Sequence, residues 1–134
     1  MNKIRYFDHA ATTAVKEEVL REMLPYFSLN YGNASSLYGI GRVSKRAIEI
    51  ARQRVAKVIG AKPNEIYFTG CGSESDNLAI KGIAHNKRNK GNHIITTKIE
   101  HPAVLNTCHS LEREGFEITF LNVDSDGLIS LEEL

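Results

Sequence analysis

The stretch FTGCGSESDNLAIKG, residues 68–82, passes from β-type residues through two glycines and two serines into a helical pattern. A strand feeding such a turn and then a helix N-terminus makes an anion site. Free backbone N–H groups point outward there, and the helix dipole favours negative charge. Ser73 and Ser75 add hydroxyl donors. The dinucleotide fingerprint GxGxxG fails, because Gly70 and Gly72 are in place but Ser75 stands at the third glycine. No GK[ST] follows, and no serine is flanked by glycines two places away on both sides. The turn therefore suits one phosphate or carboxylate, held by Gly72, Ser73 and nearby amides. Taken alone, it also reads as a capped helix with a solvated serine.

Working outward, EIYFT (65–69) reads as a strand, 73–88 as a helix and HIITT (93–97) as a strand. Residues 102–114 read as a helix, with Pro102 in its first turn and Gly115 after its end, and FEITFLNV (116–123) as a strand. This alternation predicts an α/β architecture, a mainly parallel sheet with right-handed crossover helices. Upstream, IRYF (4–7) is short and extended and DHAATT is a small-residue loop. Thr13 is placed to cap a helix over 15–28, and NYGNASSLYGIG (30–41) is a loop. A helix over 42–59 stops at Gly60. The expected organisation is an arm, helix and loop over 1–41 and the start of an α/β large domain over 42–134. Ser130 and Glu133 form a capping-box pattern that announces a helix, yet the chain reaches Leu134 after one turn. A sheet of about three strands is also small. Both features lead to the expectation of an N-terminal part of a longer protein.

The bulk numbers bound the function. The chain has 134 residues, 42% hydrophobic and 25% charged, with net charge +1. This ordinary globular composition gives no basic face for direct nucleic-acid binding. The apolar runs fall far short of a membrane span, and the N-terminus lacks the apolar core of a secretion signal. Cys71 and Cys108 form no CxxC pair, so a reducing cytoplasm is the default. His85, His93, His101 and His109 recur every eight residues, which matches no common metal-ligand spacing, and no metal site is expected.

NVDSDGLISLEEL, from residue 122, competes for attention as a calcium loop. Asn122, Asp124, Asp126, Gly127 and Glu133 occupy the required positions. Against a small calcium-binding module (122–133) stand the neutral Asn122 at the first position and the alternating β-type segment where an entering helix is required. The plainer reading is a strand, an Asp-Gly turn and a capped helix.

A second group shares the rim with the glycine turn. KIEHP lies just past the expected strand 93–97, and Pro102 keeps His101 out of helical geometry. In an open parallel sheet, ligands sit beyond the carboxyl ends of the strands. Imidazole and anion turn would then border one crevice.

YFDHAATT, YGNASSLYGIG, EIYFTGCGSESDNLAIKG, HIITTKIEHPAVL and LEREGFEITFLNVDSDGLISLEEL, in this order, resemble the N-terminal part of NifS/IscS-type cysteine desulfurases. These belong to the class-V aminotransferase group of fold-type-I pyridoxal-phosphate (PLP) enzymes. The resemblance covers essentially the whole chain. It implies a cytoplasmic homodimer that converts L-cysteine to L-alanine and an enzyme persulfide. That sulfur would pass to an iron–sulfur scaffold or other acceptor proteins, for cluster assembly or tRNA thiolation. By position it implies Gly72 and Ser73 at the PLP phosphate, His101 stacked on the pyridine ring and moving protons, and Ala10, Ala11 and Thr12 near the substrate pocket.

The chain departs from that pattern in places. Ser73 stands for the usual Thr, Cys71 for a frequent Gly, and Tyr38 for a His. Lys81 and Lys98 do not match the Schiff-base lysine motif, and Cys71 and Cys108 do not match the catalytic cysteine loop, so the isolated chain is expected to be inactive. A selenocysteine lyase or an aminotransferase of the same group is the neighbouring alternative.

Overall fold

The computed structural model describes residues 4–134. The expected arm therefore starts in part outside the described residues. The chain divides into two compact units, Met1–Tyr67 and Phe68–Leu134. Residues 41 and 42, on either side of the expected boundary, both lie in the helix Gly39–Ile59.

The first unit holds α1 (Glu17–Met23), α2 (Pro25–Ser28) and α3 (Gly39–Ile59), followed by a 3-10 turn at Pro63–Glu65. The helix expected over 15–28 is split, because Pro25 starts a new helix at its first position. Thr13 is not its cap; the cap position is Lys16, which makes no side-chain capping bond. α3 ends at Gly60, whose φ of 70° favours a residue without Cβ. The glycine loop before α3 is closely packed. A Cβ on Gly32 would stand 2.4 Å from the Ile40 carbonyl oxygen, and one on Gly41 would stand 2.5 Å from that of Asn33. The Ser44 hydroxyl donates to the Asn30 carbonyl at 3.1 Å, pinning the loop to α3. Many large apolar side chains of this unit stay exposed, among them Leu37 at 92% and Val58 at 85%.

The second unit runs α4 (Gly72–Lys87), β1 (His93–Thr97), α5 (Pro102–Arg113) and β2 (Glu117–Leu121). β1 and β2 pair in parallel, with Ile94 opposite Ile118. That register puts both isoleucines against a core of Ala84, Leu111 and Phe116, joined by Ile80. Sealing Leu111 and Phe116 from water is worth roughly 1.5–3 kcal/mol each. The strand expected at 65–69 is absent. Residues 66–69 run without helix or strand hydrogen bonding after the 3-10 turn, since no neighbouring strand among the described residues pairs with them. The helix expected after Ser130 is also absent, and turns occupy 131–133. Glu133, which the capping-box reading assigned to the Ser130 backbone, instead accepts from the Asn122 side-chain amide at 3.0 Å.

No helix among the described residues is long and apolar enough to cross a membrane.

Candidate active site

Both helix starts of the second unit lie at one end of its sheet. α5 leaves the carboxyl end of β1 and returns its C-terminus to the start of β2. α4 feeds its C-terminus into the start of β1. The two helix ends are tied together: Arg88 donates to the Glu114 carbonyl at 2.9 Å, and His85 Nε2 lies 3.3 Å from the Glu114 carboxylate. α4 and α5 therefore run side by side in the same direction. Gly72 and Ser73 open one of them, and His101 opens the other, at the carboxyl end of the strands.

The start of α4 leaves its first backbone donors without a side-chain cap. Cys71 is the cap residue, extended at φ −166°, and its side chain makes no capping bond. The amides of Gly72 and Ser73 are thus left open. Nothing lies within 4 Å of where a Cβ on Gly72 would be. The Ser73 hydroxyl has no hydrogen-bond partner among the described residues, while its carbonyl accepts from Asn77 Nδ2 at 2.9 Å. Ser75, expected as a second donor, is committed elsewhere. Its Oγ lies 2.6 Å from Thr69 Oγ1 and 3.4 Å from the Cys71 carbonyl. The Glu74 carboxylate accepts from the Gly70 amide at 2.6 Å. Sequence reasoning missed that bond: a Glu three places after a helix cap signals a bond to the cap's own amide, here Cys71, and not to that of Gly70.

His101 is the cap of α5. Its backbone is extended (ψ 145°), as the following proline requires, and Nδ1 accepts from the Ala103 amide at 3.1 Å. In the neutral ring that bond leaves the proton on Nε2. The loop before it is pinned by Thr97 Oγ1 on Glu100 at 3.0 Å and by Lys98 Nζ on Asn122 at 2.8 Å. Ala10, Ala11 and Thr12 belong to the first unit, in an exposed turn held by Asp8. The Asp8 carbonyl accepts from Ala11 at 3.2 Å and from Thr12 at 3.5 Å. An apolar hollow of about 310 Å³ lies along α4 and the start of β1 between Ile80, His93 and Phe116. None of the expected site residues lines it.

The two thiols differ. Cys71 is exposed. Cys108 is buried on the inner side of α5, and burial, helped by Glu112 and Glu100, pushes its thiol up and holds it protonated. No group of three or more metal-ligating side chains is assembled among the described residues.

The second unit is thus an α/β unit with an uncapped helix start beside a helix start capped by a histidine. The chain belongs to the class-V aminotransferase family, a family of PLP enzymes, whose profile matches residues 5–134. Among its relatives, "Cysteine desulfurase IscS" of Clostridium botulinum is 56% identical over all 134 residues, which cover 34% of that protein. "Cysteine desulfurase IscS" of Methanosarcina thermophila is 57% identical over 99% of this chain and 33% of its own length. A solved structure titled "NIFS-LIKE PROTEIN" superposes with TM-score 0.89 at 44% identity, over 96% of this chain and 35% of that one. Another, "SspA in complex with cysteine", gives 0.88 at 44%, over 97% and 38%. The chain thus spans about a third of the length of the curated relatives it matches, and its fold is that part of a fold-type-I PLP enzyme.

The residues present fit the phosphate end of that cofactor. Two open amides, an unpartnered hydroxyl and clear space over Gly72 suit a phosphate monoester.

Proposed function

We propose that the chain is the N-terminal segment of a PLP-dependent cysteine desulfurase, which takes sulfur from L-cysteine and leaves L-alanine. The observation that carries this reading is the 56% identity, along the whole chain, to a protein named for that activity. The amides of Gly72 and Ser73 and the Ser73 hydroxyl bind the phosphate, at the positive end of a sixteen-residue helix. When bound, the cofactor supplies an electron sink for charge developing on the substrate. His101 would hold a flat ring beside the bound cofactor and present an Nε2 proton for transfer. Its Nδ1 bond to Ala103 fixes the tautomer and aims the ring. Ala10, Ala11 and Thr12 contribute backbone and small side chains to the substrate pocket. The working protein is a cytoplasmic homodimer that hands sulfur to an iron–sulfur scaffold or another acceptor protein.

The test is product analysis with the full-length polypeptide. Alanine and thiol-releasable sulfide in equal amounts from L-cysteine are expected. Turnover restricted to L-selenocysteine, or amino-group transfer to an oxo acid without sulfide, would replace the reading with a selenocysteine lyase or an aminotransferase.

A further inference from the structure

The start of α4 poses an electrostatic problem. Glu74 sits in the first turn, one residue from Ser73, where a carboxylate would repel a bound phosphate. The structure shows where that charge goes. Glu74 Oε2 reaches back past the cap residue and accepts from the Gly70 amide at 2.6 Å. A Cβ on Gly70 would stand 3.2 Å from the same oxygen, so glycine leaves the carboxylate room to reach the amide. On the other side of the turn, Thr69 Oγ1 meets Ser75 Oγ at 2.6 Å and donates to the Cys71 carbonyl at 3.2 Å. The peptide leading into the helix is thus clamped twice, from Gly70 to Glu74 and from Thr69 to Ser75. Both clamps use groups that would otherwise compete for the Gly72 and Ser73 amides.

We propose that Glu74 is a positioning residue for the phosphate of the cofactor. By holding the Gly70 amide, it fixes the entry to α4 and keeps its own charge off the open amides of Gly72 and Ser73. This rests on the phosphate reading of that helix start. The hydrogen bond, rather than the negative charge, does the positioning. Glu74→Gln keeps an acceptor oxygen for Gly70 and so retains phosphate binding, whereas Glu74→Ala releases the turn and weakens it.

The test titrates the full chain with pyridoxine 5′-phosphate and with pyridoxine, which lack the aldehyde and so form no adducts with lysines. Amide resonances of Gly72 and Ser73 report binding. The ratio of the two affinities isolates the phosphate contact from general damage to the fold. Glu74→Ala is expected to lower that ratio about tenfold, the lower range for a hydrogen bond serving a charged group. Glu74→Gln should restore it to within about threefold of wild type. Ser73→Ala provides the reference. If Ser73→Ala lowers the ratio and Glu74→Ala does not, the positioning role is overturned and the phosphate site stands. If Glu74→Gln behaves like Glu74→Ala, the hydrogen-bond account is overturned. A wild-type chain without preference for the phosphorylated form overturns the site and this inference together.

Discussion

Arg88 lies over the Phe116 ring, 4.8 Å from its centroid, and donates from the same guanidinium to the Glu114 carbonyl at 2.9 Å. One side chain at the end of α4 thereby closes the end of α5 and covers the aromatic just before β2. His85 approaches the same ring edge-on at 5.7 Å. This knot fixes the direction of both helices, and with it the shared rim at their other ends.

Arg88→Ala should destabilise the second unit by about 1–2 kcal/mol, for the lost stacking and hydrogen bond at a largely exposed site. Arg88→Lys should recover little, because a point charge replaces the planar fork. Leu111→Ala, at a fully buried position, should cost about 2–5 kcal/mol. Urea unfolding of the three variants measures all of these.

Cys108 couples stability to alkaline pH. Its thiol is pushed up by burial, first, and by Glu112 and Glu100. The folded chain therefore holds the proton more tightly than the unfolded chain. The stability from the neutral buried thiol is complete below the ordinary thiol value of about 8.5 and falls as pH rises toward the folded value. The stability difference between wild type and Cys108→Ala should shrink between pH 8 and pH 10. A thiol reagent should label exposed Cys71 at once and Cys108 only on unfolding.

The calcium-like loop should bind no calcium at micromolar concentration. Asp124 Oδ1 accepts from the amides of Asp126 and Leu128, both at 2.9 Å, and Asn122 turns its amide donor toward Glu133. β2, not a helix, precedes Asn122. Calorimetry should show the same negligible heat for wild type and Glu133→Gln.

His101→Asn separates two roles. Asn caps helices well, so the α5 start and the melting temperature should be unchanged. In the full-length polypeptide, alanine formation in a single turnover should fall by about 10²–10⁴-fold, the range for a positioned acid–base group. Near wild-type rates would reduce His101 to a cap.

The pattern of β1, α5 and β2 was legible because each carries its own signal. HIITT is β-branched, Pro102 and Gly115 bracket the helix, and EITFL alternates. EIYFT carries an equally good strand signal, yet a strand exists only through a partner, and propensity says nothing of who that is. The helix starts that carry Gly72, Ser73 and His101 were legible from turn chemistry and the proline rule. The commitment of Ser75 to Thr69, and of Glu74 to Gly70, was not. Both bonds depend on the path of the backbone through residues 69–75, which composition does not specify.

A parallel pair with no third strand among the described residues has a consequence for hydrogen exchange. Glu117 donates to the Asn92 carbonyl and Lys98 to that of Leu121, so ladder bonds alternate along each strand. By that alternation, the amides of Thr96, Thr119 and Leu121 point into the ladder, whereas those of Ile95, Thr97, Ile118 and Phe120 point to the outer edges. Deuterium uptake along β1 and β2 should therefore zigzag, slow then fast, residue by residue. Where a further strand or a second chain docks, the fast positions on that edge alone should fall silent, and the two edges can be told apart amide by amide.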